Sequence, residues 1–401
     1  MRGLALEGGA ARGAYHIGVV QALMENGYEF DGFVGTSIGA INAAALAQGE
    51  LNAALDLWLN ISMDKIFELD ERLLQLADKR SAVLDAKLPF AVKDLLTRII
   101  NDKGVATDKM KAILERHIDE NKIRASGKDY GLVTVSLTDR KPHRLMIEDI
   151  PHGKLVNYIM ASASFPGFRS ETIGNAAFID GAFHDNCPYG LLCDKGYDEV
   201  IVIRTKTIGV FHKVKDTQRV KVISPRDDLG HLMLFSPQRS KRNINLGYYD
   251  GLRFAKGLRG MSYYLESVDI NDFYYSLVSL NDSVILKIGK IMGIADMPAK
   301  RMLFEKIIPQ LGTYLMLGKD YDYADFVIAL LELAAKNRAV NRFKVYDYEK
   351  LCAVVRENPL KQPQKKTPQL LSDISILNKR KMATELLINE IIIKANCVQN
   401  C

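Results

Sequence analysis

Two short apolar segments near the N-terminus each run directly into a glycine-rich turn and then into a helical pattern. Residues 4–6 lead into residues 8–13, and residues 33–34 lead into residues 35–39. A third apolar run, at residues 200–203, is continuous, as in strands buried on both faces of a parallel sheet. This alternation predicts an α/β fold: a mostly parallel central sheet with helices on both faces and a ligand site at the carboxyl ends of the strands.

The character of the sequence changes near residue 260. Beyond this point glycine becomes rarer and apolar residues recur at helical spacing. We therefore predict a first domain over residues 1–260, a helical C-terminal region over 261–357, a proline-containing linker over 358–369 and a terminal helical segment over 370–401.

Composition excludes several classes of protein. With 48% apolar and 25% charged residues, the 401-residue chain has the balance of a soluble folded protein. A net charge of +6 spread along it lacks the basic stripe of a nucleic-acid-binding protein. No apolar run reaches the roughly 18 residues of a spanning helix. We expect no nucleic-acid partner.

The expected compartment follows from the N-terminus and the cysteines. An acidic residue and two glycines interrupt the N-terminus before a signal peptide could form. The five cysteines show no metal-type spacing, which suits reduced thiols. We therefore expect a cytoplasmic protein that can contact the inner membrane face peripherally. The sequence does not indicate its oligomeric state.

The pattern Gly35-x-Ser37-x-Gly39 is the main candidate for a catalytic site. It lies between a strand and an Ala-rich helix, which is the context that the nucleophile-elbow motif requires. The glycines permit a tight turn, and the helix N-terminus favours the negative charge that develops on an attacked carbonyl. A chance glycine-serine turn is the alternative, and the flanking strand and helix favour a nucleophilic role for Ser37.

Two further features could complete such a site. The turn at residues 8–13 would let backbone N–H groups face an oxyanion, although a phosphate cradle or a plain tight turn are alternatives. Its spacing matches neither a Rossmann fingerprint nor a P-loop. Asp180 leaves an apolar segment and is followed by Gly181, so it is placed to project into a cleft, unless the pair is an ordinary turn.

Together these features resemble the patatin-like phospholipase family, in its bacterial type. Four blocks agree in their order, and the resemblance covers about residues 1 to 205. The blocks are residues 7–15, residues 35–39, residues 161–168 and the Asp-Gly pair at 180–181 with Asn186 and Pro188. The sequence departs from the family pattern at Ala10 and Ala182, where the family has glycine.

The resemblance implies a serine lipid acyl hydrolase, in residues 1–260, that cleaves carboxylic esters of phospholipids or lysophospholipids through an acyl-enzyme intermediate. It implies that Ser37 is the nucleophile and Asp180 the base, with no histidine and no metal or organic cofactor. The oxyanion hole would comprise Gly8, Gly9, Ala10 and Arg12, of which Arg12 closes the turn. The glycines that support the motifs would be Gly35, Gly39 and Gly181.

Several alternatives stay open from the sequence. A thioesterase or transacylase would use the same dyad, and a ligand- or partner-gated effector would use the C-terminal region to control the hydrolase core. A Ser-His-Asp triad would enlist His184. The many cationic residues between 204 and 260 indicate either a lip for anionic headgroups or a solvated basic face.

Overall fold

The computed structural model describes residues 1–67, 106–165, 168–267, 269–358 and 376–394. The chain divides into two compact units, Met1–Ala255 and Lys256–Cys401. Most of the predicted linker lies outside the described residues.

The described part of the first unit contains an eight-stranded sheet with the order β5-β6-β3-β2-β1-β7-β8, in which β4 also pairs with β3. Its strands are β1 (Arg2–Leu6), β2 (Gly32–Gly35), β3 (Asp129–Ser136), β4 (Lys141–Met146), β5 (Thr172–Ile173), β6 (Ala176–Asp180), β7 (Glu199–Ile203) and β8 (Val220–Ile223). Strands β3, β2, β1, β7 and β8 run parallel, whereas β4 and β6 run antiparallel to β3 and β5 runs antiparallel to β6. The predicted mostly parallel sheet is confirmed.

Helices surround this sheet, as the α/β pattern predicts. They are α1 (Ala14–Glu25), α2 (Ile38–Ala47), α3 (Leu51–Asn60), α4 (Met63–Ile66), α5 (Asp108–His117), α6 (Glu120–Ala125), α7 (Leu155–Ser162), α8 (Gly190–Asp194) and α9 (Pro237–Lys256). Short 3-10 turns occupy Ala10–Gly13, Ile147–Asp149 and Gly181–Phe183.

The strand register brings the loops of the predicted site together. Leu6 at the end of β1 lies opposite Gly35 at the end of β2 and opposite Ile203 at the end of β7. In parallel strands such ends share one edge of the sheet, so the segments that follow the three strands are neighbours. On β6, Asp180 lies opposite Thr134 of β3, which brings it to the same edge from an antiparallel strand.

Helices α1 and α9 pack with their backbones in close approach. A Cβ on Gly18 would lie 1.9 Å from the carbonyl oxygen of Ile244, and a Cβ on Gly247 would lie 2.2 Å from that of Tyr15. The Tyr15 hydroxyl also donates to the Asp250 carboxylate at 2.8 Å. Helix α9 is therefore an integral part of the first unit, although it is remote from α1 in sequence.

The second unit is mainly helical in its described part, which confirms the predicted helical C-terminal region. Its elements are a two-stranded parallel pair of β9 (Tyr264–Leu265) and β10 (Val345–Tyr346), helices α10 (Ile270–Val278), α11 (Asp282–Met292), α12 (Ala299–Met302), α13 (Ile308–Tyr314), α14 (Tyr323–Asn337), α15 (Tyr348–Glu357) and α16 (Ile376–Ile388), and π-helical turns at Leu303–Ile307 and Asn389–Ile393.

This unit has a hydrophobic core of its own. Phe326 and Leu330 of α14 are fully buried in it, and so are Leu387 and Ile392 of the last described segment. The described part of the predicted terminal segment therefore packs within the second unit. Within residues 1–67, 106–165, 168–267, 269–358 and 376–394, no helix combines the length and apolarity needed to cross a bilayer.

Candidate active site

Ser37 lies at the turn between β2 and α2. Its backbone has φ 57° and ψ −125°, and a positive φ is uncommon for a residue with a side chain. The turn depends on its glycines, because a Cβ on Gly35 would lie 2.2 Å from the carbonyl carbon of Gly39 and one on Gly39 would lie 2.2 Å from the carbonyl oxygen of Leu6. This is the strained strand-to-helix geometry of a nucleophile elbow.

A distant serine holds the backbone of this turn. The Ser162 hydroxyl, at the end of α7, accepts a hydrogen bond from the Ser37 N–H at 3.0 Å and donates one to the Val133 carbonyl at 2.6 Å. Ser162 is fully buried, so no water competes for either bond. The bond therefore links the Ser37 turn to both α7 and β3. Within the same predicted block, Pro166 and Gly167 lie outside the described residues.

Asp180 lies at the end of β6 with its side chain turned to Ser37. One carboxylate oxygen accepts the Ala182 N–H at 2.8 Å, and the Ser37 side chain is close enough to lower the pKa of the carboxyl group. Burial raises the pKa of Asp180 from 3.8 to about 6, against the lowering effects of the Ala182 N–H and the Ser37 side chain. Gly181 is needed here, because a Cβ would lie 2.1 Å from the Val133 carbonyl oxygen.

The glycine-rich turn after β1 presents two open backbone donors. Gly9 and Ala10 have positive φ values of 156° and 46°. The Gly8 N–H donates to the Asn186 carbonyl at 2.9 Å, and the Arg12 N–H donates to the Gly9 carbonyl at 3.0 Å. Within the described part of the chain, the N–H groups of Gly9 and Ala10 have no acceptor. Of the four residues predicted to form an oxyanion hole, these two therefore have N–H groups free for a ligand.

The Arg12 side chain fastens the turn to neighbouring loops. Its guanidinium donates to the carbonyls of Gly230 at 2.8 Å, Lys206 at 2.8 Å and Thr205 at 3.3 Å. These bonds use Nε and Nη1, and Nη2 lies 3.8 Å from the Asp228 carboxylate. Arg12 thus ties the turn to the loops at residues 205–206 and 230 by side-chain bonds that the sequence did not reveal.

Glu7 also holds the glycine-rich turn in place. The sequence patterns did not indicate this role for Glu7. Its fully buried carboxylate accepts the N–H groups of Thr205 at 2.6 Å and Lys206 at 2.9 Å, and it pairs with Arg204 at 2.7 Å. The Thr205 hydroxyl also donates to the Gly8 carbonyl at 2.5 Å. A buried carboxylate is stable when it is paired and hydrogen-bonded in this way. Glu7 therefore ties the start of the turn to the end of β7.

Asn42 connects helix α2, which follows Ser37, to the glycine-rich turn after β1 through a buried hydrogen-bond network. From α2, its amide nitrogen donates to the Gly13 carbonyl at 3.0 Å and lies 3.2 Å from His16 Nδ1, while its oxygen accepts the Trp58 indole N–H at 3.0 Å. Since the indole fixes which amide atom is oxygen, His16 Nδ1 accepts a hydrogen bond and the ring is neutral. Burial lowers the pKa of His16 to about 3, in keeping with this neutral form.

His184 is the histidine of the alternative triad. It is half-buried, and its ring centroid is 6.2 Å from that of His212. Within the described residues no hydrogen bond joins His184 to Ser37, whereas the Ser37 side chain is close enough to Asp180 to lower its pKa. Asp180, rather than His184, is therefore the better candidate for the partner of Ser37.

An apolar pocket lies against helix α2, the helix that follows Ser37, and Ser37 itself is not among its lining residues. It begins at Ile38, the residue after the serine, and extends between α2, α3 and α5. Its apolar lining includes Ile38, Ile41, Ala45, Leu57, Trp58, Met110, Leu114 and Phe235. A pocket of this composition suits a hydrocarbon chain.

Comparison with known proteins points to one family. Residues 4–192 match the family of patatin-like phospholipases. The chain is 36% identical over 106 residues to a patatin-like phospholipase domain-containing protein of Caenorhabditis elegans, a match that covers 26% of this chain and 8% of that protein. It is 37% identical over 112 residues to an uncharacterized NTE family protein of Mycobacterium tuberculosis, covering 26% of this chain and 30% of that protein. The chain thus matches less than a third of the length of these relatives.

Two solved structures also resemble the chain at low sequence identity. The crystal structure of VipD from Legionella pneumophila is 13% identical with a TM-score of 0.38, and the match covers 88% of this chain and 82% of that one. The crystal structure of the type III effector protein ExoU is 16% identical with a TM-score of 0.32, and it covers 97% of this chain and 74% of that one.

Proposed function

Because residues 4–192 belong to the patatin-like phospholipase family, we propose that this chain is a lipid acyl hydrolase that cleaves carboxylic esters of phospholipids or lysophospholipids. The observation that carries the proposal is the placement of Ser37, on a strained strand-to-helix turn, beside the buried carboxylate of Asp180, whose pKa the Ser37 side chain lowers. A hydroxyl next to a base that is itself held in place is the arrangement required for nucleophilic catalysis.

In the first step, Ser37 Oγ attacks the ester carbonyl while Asp180 accepts the hydroxyl proton. A pKa of about 6 suits this task, because the carboxylate is largely ionised near neutral pH and is still basic enough to take the proton. The Ala182 N–H holds the other side of the carboxylate, so its orientation towards Ser37 is fixed before substrate arrives.

The negative charge of the tetrahedral intermediate falls on the former carbonyl oxygen. The open N–H groups of Gly9 and Ala10 would receive it, and removal of one such donor typically costs about 10²- to 10³-fold in rate. Glu7 and Arg12 do not face the substrate in this scheme; they hold the turn that presents the two donors. Such preorganisation is the main source of oxyanion stabilisation.

Collapse of the intermediate breaks the ester bond, with the proton passing from Asp180 to the leaving alcohol. The acyl-enzyme on Ser37 is then hydrolysed by water, which Asp180 activates in turn. The acyl chain would occupy the apolar pocket that begins at Ile38, since that residue adjoins the nucleophile.

The experiment compares wild type with Ser37→Ala and Asp180→Asn on a short-chain p-nitrophenyl ester, a fluorogenic phospholipid and a fatty acyl thioester. We expect both variants to lose about 10⁴-fold of the wild-type kcat on the preferred substrate, as for other serine hydrolases. Asp185→Asn is the matched control, because Asp185 is also buried in the segment after β6 and its side chain bonds the Cys187 N–H rather than Ser37.

The possible outcomes separate the alternatives. Activity retained by Asp180→Asn but lost in Ser37→Ala would place the base elsewhere, with His184 as the next residue to test. A strong preference for the thioester would replace the phospholipase assignment with a thioesterase. An inert wild-type protein would refute an autonomous hydrolase and favour control by a ligand or partner.

A further inference from the structure

The loop after β7, residues 205–215, forms one rim of the candidate active site, and we call it the rim loop. At its start, the Thr205 N–H donates to the Glu7 carboxylate at 2.6 Å. Further along, the Val210 N–H donates to the Ala182 carbonyl at 2.9 Å, and Ala182 in turn holds Asp180. The rim loop therefore spans from the oxyanion turn to the segment that follows the catalytic carboxylate.

The rim loop is anchored along its length. The Val210 carbonyl accepts the Asn186 N–H at 2.7 Å. The guanidinium of Arg204 lies 3.6 Å from the ring centroid of Phe211. Phe211 and Val214 also pack on the hydrophobic cluster that contains Leu192 and Tyr197. Its inward-facing side chains thus fix which of its residues point to solvent.

Apart from His212, the exposed side chains of the rim loop are apolar or cationic. Ile208 is 85% exposed and Val210 is 42% exposed, and Phe183, next to Ala182, is 52% exposed. Three exposed lysines accompany them, Lys206, Lys213 and Lys215, and residues 205–215 contain no acidic residue. None of these lysines forms an ion pair within the described parts of the chain.

These lysines differ from most of the arginines in the basic segment 204–260. Within the first unit, the guanidinium groups of these arginines donate hydrogen bonds to backbone carbonyls or form ion pairs with carboxylates. The residues concerned are Arg204, Arg219, Arg239, Arg242 and Arg253. Much of the cationic charge in this segment is therefore structural, and the rim-loop lysines are left to face outside.

We propose that the rim loop docks the protein on an anionic lipid surface, with Ile208, Val210 and Phe183 entering the headgroup region and the lysines meeting anionic headgroups. This combination of apolar side chains and free lysines complements an anionic bilayer, since each lysine near such a surface contributes to binding and apolar side chains add to it. The inference rests on the proposed function, because a lipid hydrolase needs its site opening held against the lipid.

Binding is measured by co-sedimentation with vesicles of phosphatidylcholine alone and of equal parts phosphatidylcholine and phosphatidylserine. All proteins carry Ser37→Ala, so that no lipid is consumed. In this background the test variants are Lys213→Gln with Lys215→Gln, and Ile208→Ser. The matched control is Lys154→Gln with Lys256→Gln. Lys154 precedes α7, whose other end reaches Ser37, and both control lysines are exposed.

We expect the rim-loop lysine pair to weaken binding to the anionic vesicles by about 30-fold at low salt, which is about fivefold for each lysine. The control pair should bind as the parent protein does. Ile208→Ser should weaken binding to the anionic vesicles by about tenfold through lost apolar insertion. Unchanged thermal unfolding would show that each variant is folded.

Three results would overturn the proposal. In the first, the rim-loop lysine variant binds the anionic vesicles as well as the control lysine variant does. In the second, the parent protein binds both vesicle types equally, and in the third it binds neither type. The last result would indicate a protein-docking surface instead. Because binding is measured without turnover, its failure is distinguishable from failure of the proposed hydrolase, which the soluble ester tests in the absence of vesicles.

Discussion

The burial of Asp180 predicts that the residue proposed to act as base destabilises the folded protein. The folded-state pKa of about 6 compares with an ordinary value of 3.8. Since a tenfold change in acidity corresponds to about 1.4 kcal/mol, the ionised carboxylate costs about 3 kcal/mol in the folded state. Asp180→Asn removes this charge while its amide oxygen can still accept the Ala182 N–H. We therefore expect the variant to gain stability as it loses activity.

The gain should depend on pH in a defined direction. Below about pH 4 the carboxyl is protonated in both the folded and the unfolded chain, so the variant should match wild type. As the pH rises from about 4 to about 6, the unfolded chain releases its proton while the folded chain retains it, and wild type loses stability. Above about pH 6 the full penalty applies, and Asp180→Asn should be more stable by up to about 3 kcal/mol.

Trp58 makes this measurable for the first unit alone. It is the single tryptophan of the chain and is 3% exposed in that unit, so urea unfolding followed by its fluorescence reports that unit. Asp56→Asn, an exposed aspartate on the same helix as Trp58, serves as the control and should show no such gain. A variant that is less stable than wild type near pH 8, or that gains equally at low and high pH, would refute the reasoning.

Three further predictions concern activity. In wild type, kcat/KM should fall about tenfold per pH unit below about pH 6 and level off above it, because Asp180 must be ionised to accept a proton; a flat profile would exclude it as the base. Ser162→Ala should lower kcat about 10- to 100-fold, since the Ser37 N–H then loses its acceptor at a cost of about 1–3 kcal/mol; unchanged steady-state kinetics would show that the bond is dispensable. Ala45→Phe should fill part of the apolar pocket and reduce hydrolysis of long-chain esters more than short-chain ones; an equal loss across a chain-length series would place the acyl chain elsewhere.

The elements that the sequence predicted are those with a local signature. The glycines at 35 and 39 mark a turn that no larger residue can make, and the apolar run at 200–203 marks a buried central strand. The order of strands in the sheet was not predictable, because β7 joins β1 across nearly 200 residues of sequence. Periodicity describes what one segment buries and not which segment it pairs with.

The same limit applies to the candidate site. Ser37 and Asp180 stand in recognisable patterns, whereas Ser162 and Glu7 form hydrogen bonds to partners 125 and 198 residues away in the sequence. No spacing rule predicts such contacts. Ala10 is the reverse case: the sequence showed a departure from glycine, and the structure shows that alanine there adopts a φ of 46°, a strained backbone for a residue with a Cβ.

The close approach of α1 and α9 bears on how this protein could be dissected or recombined. A fragment that ends at residue 192, where the family match ends, would lack β7. Strand β1, which is central in the intact sheet, would then become an unpaired edge strand. The truncation would also strip α1 of the glycine-lined helix against which its backbone lies. A fragment exchanged between relatives should therefore extend to about residue 256, so that α1 and α9 are exchanged together.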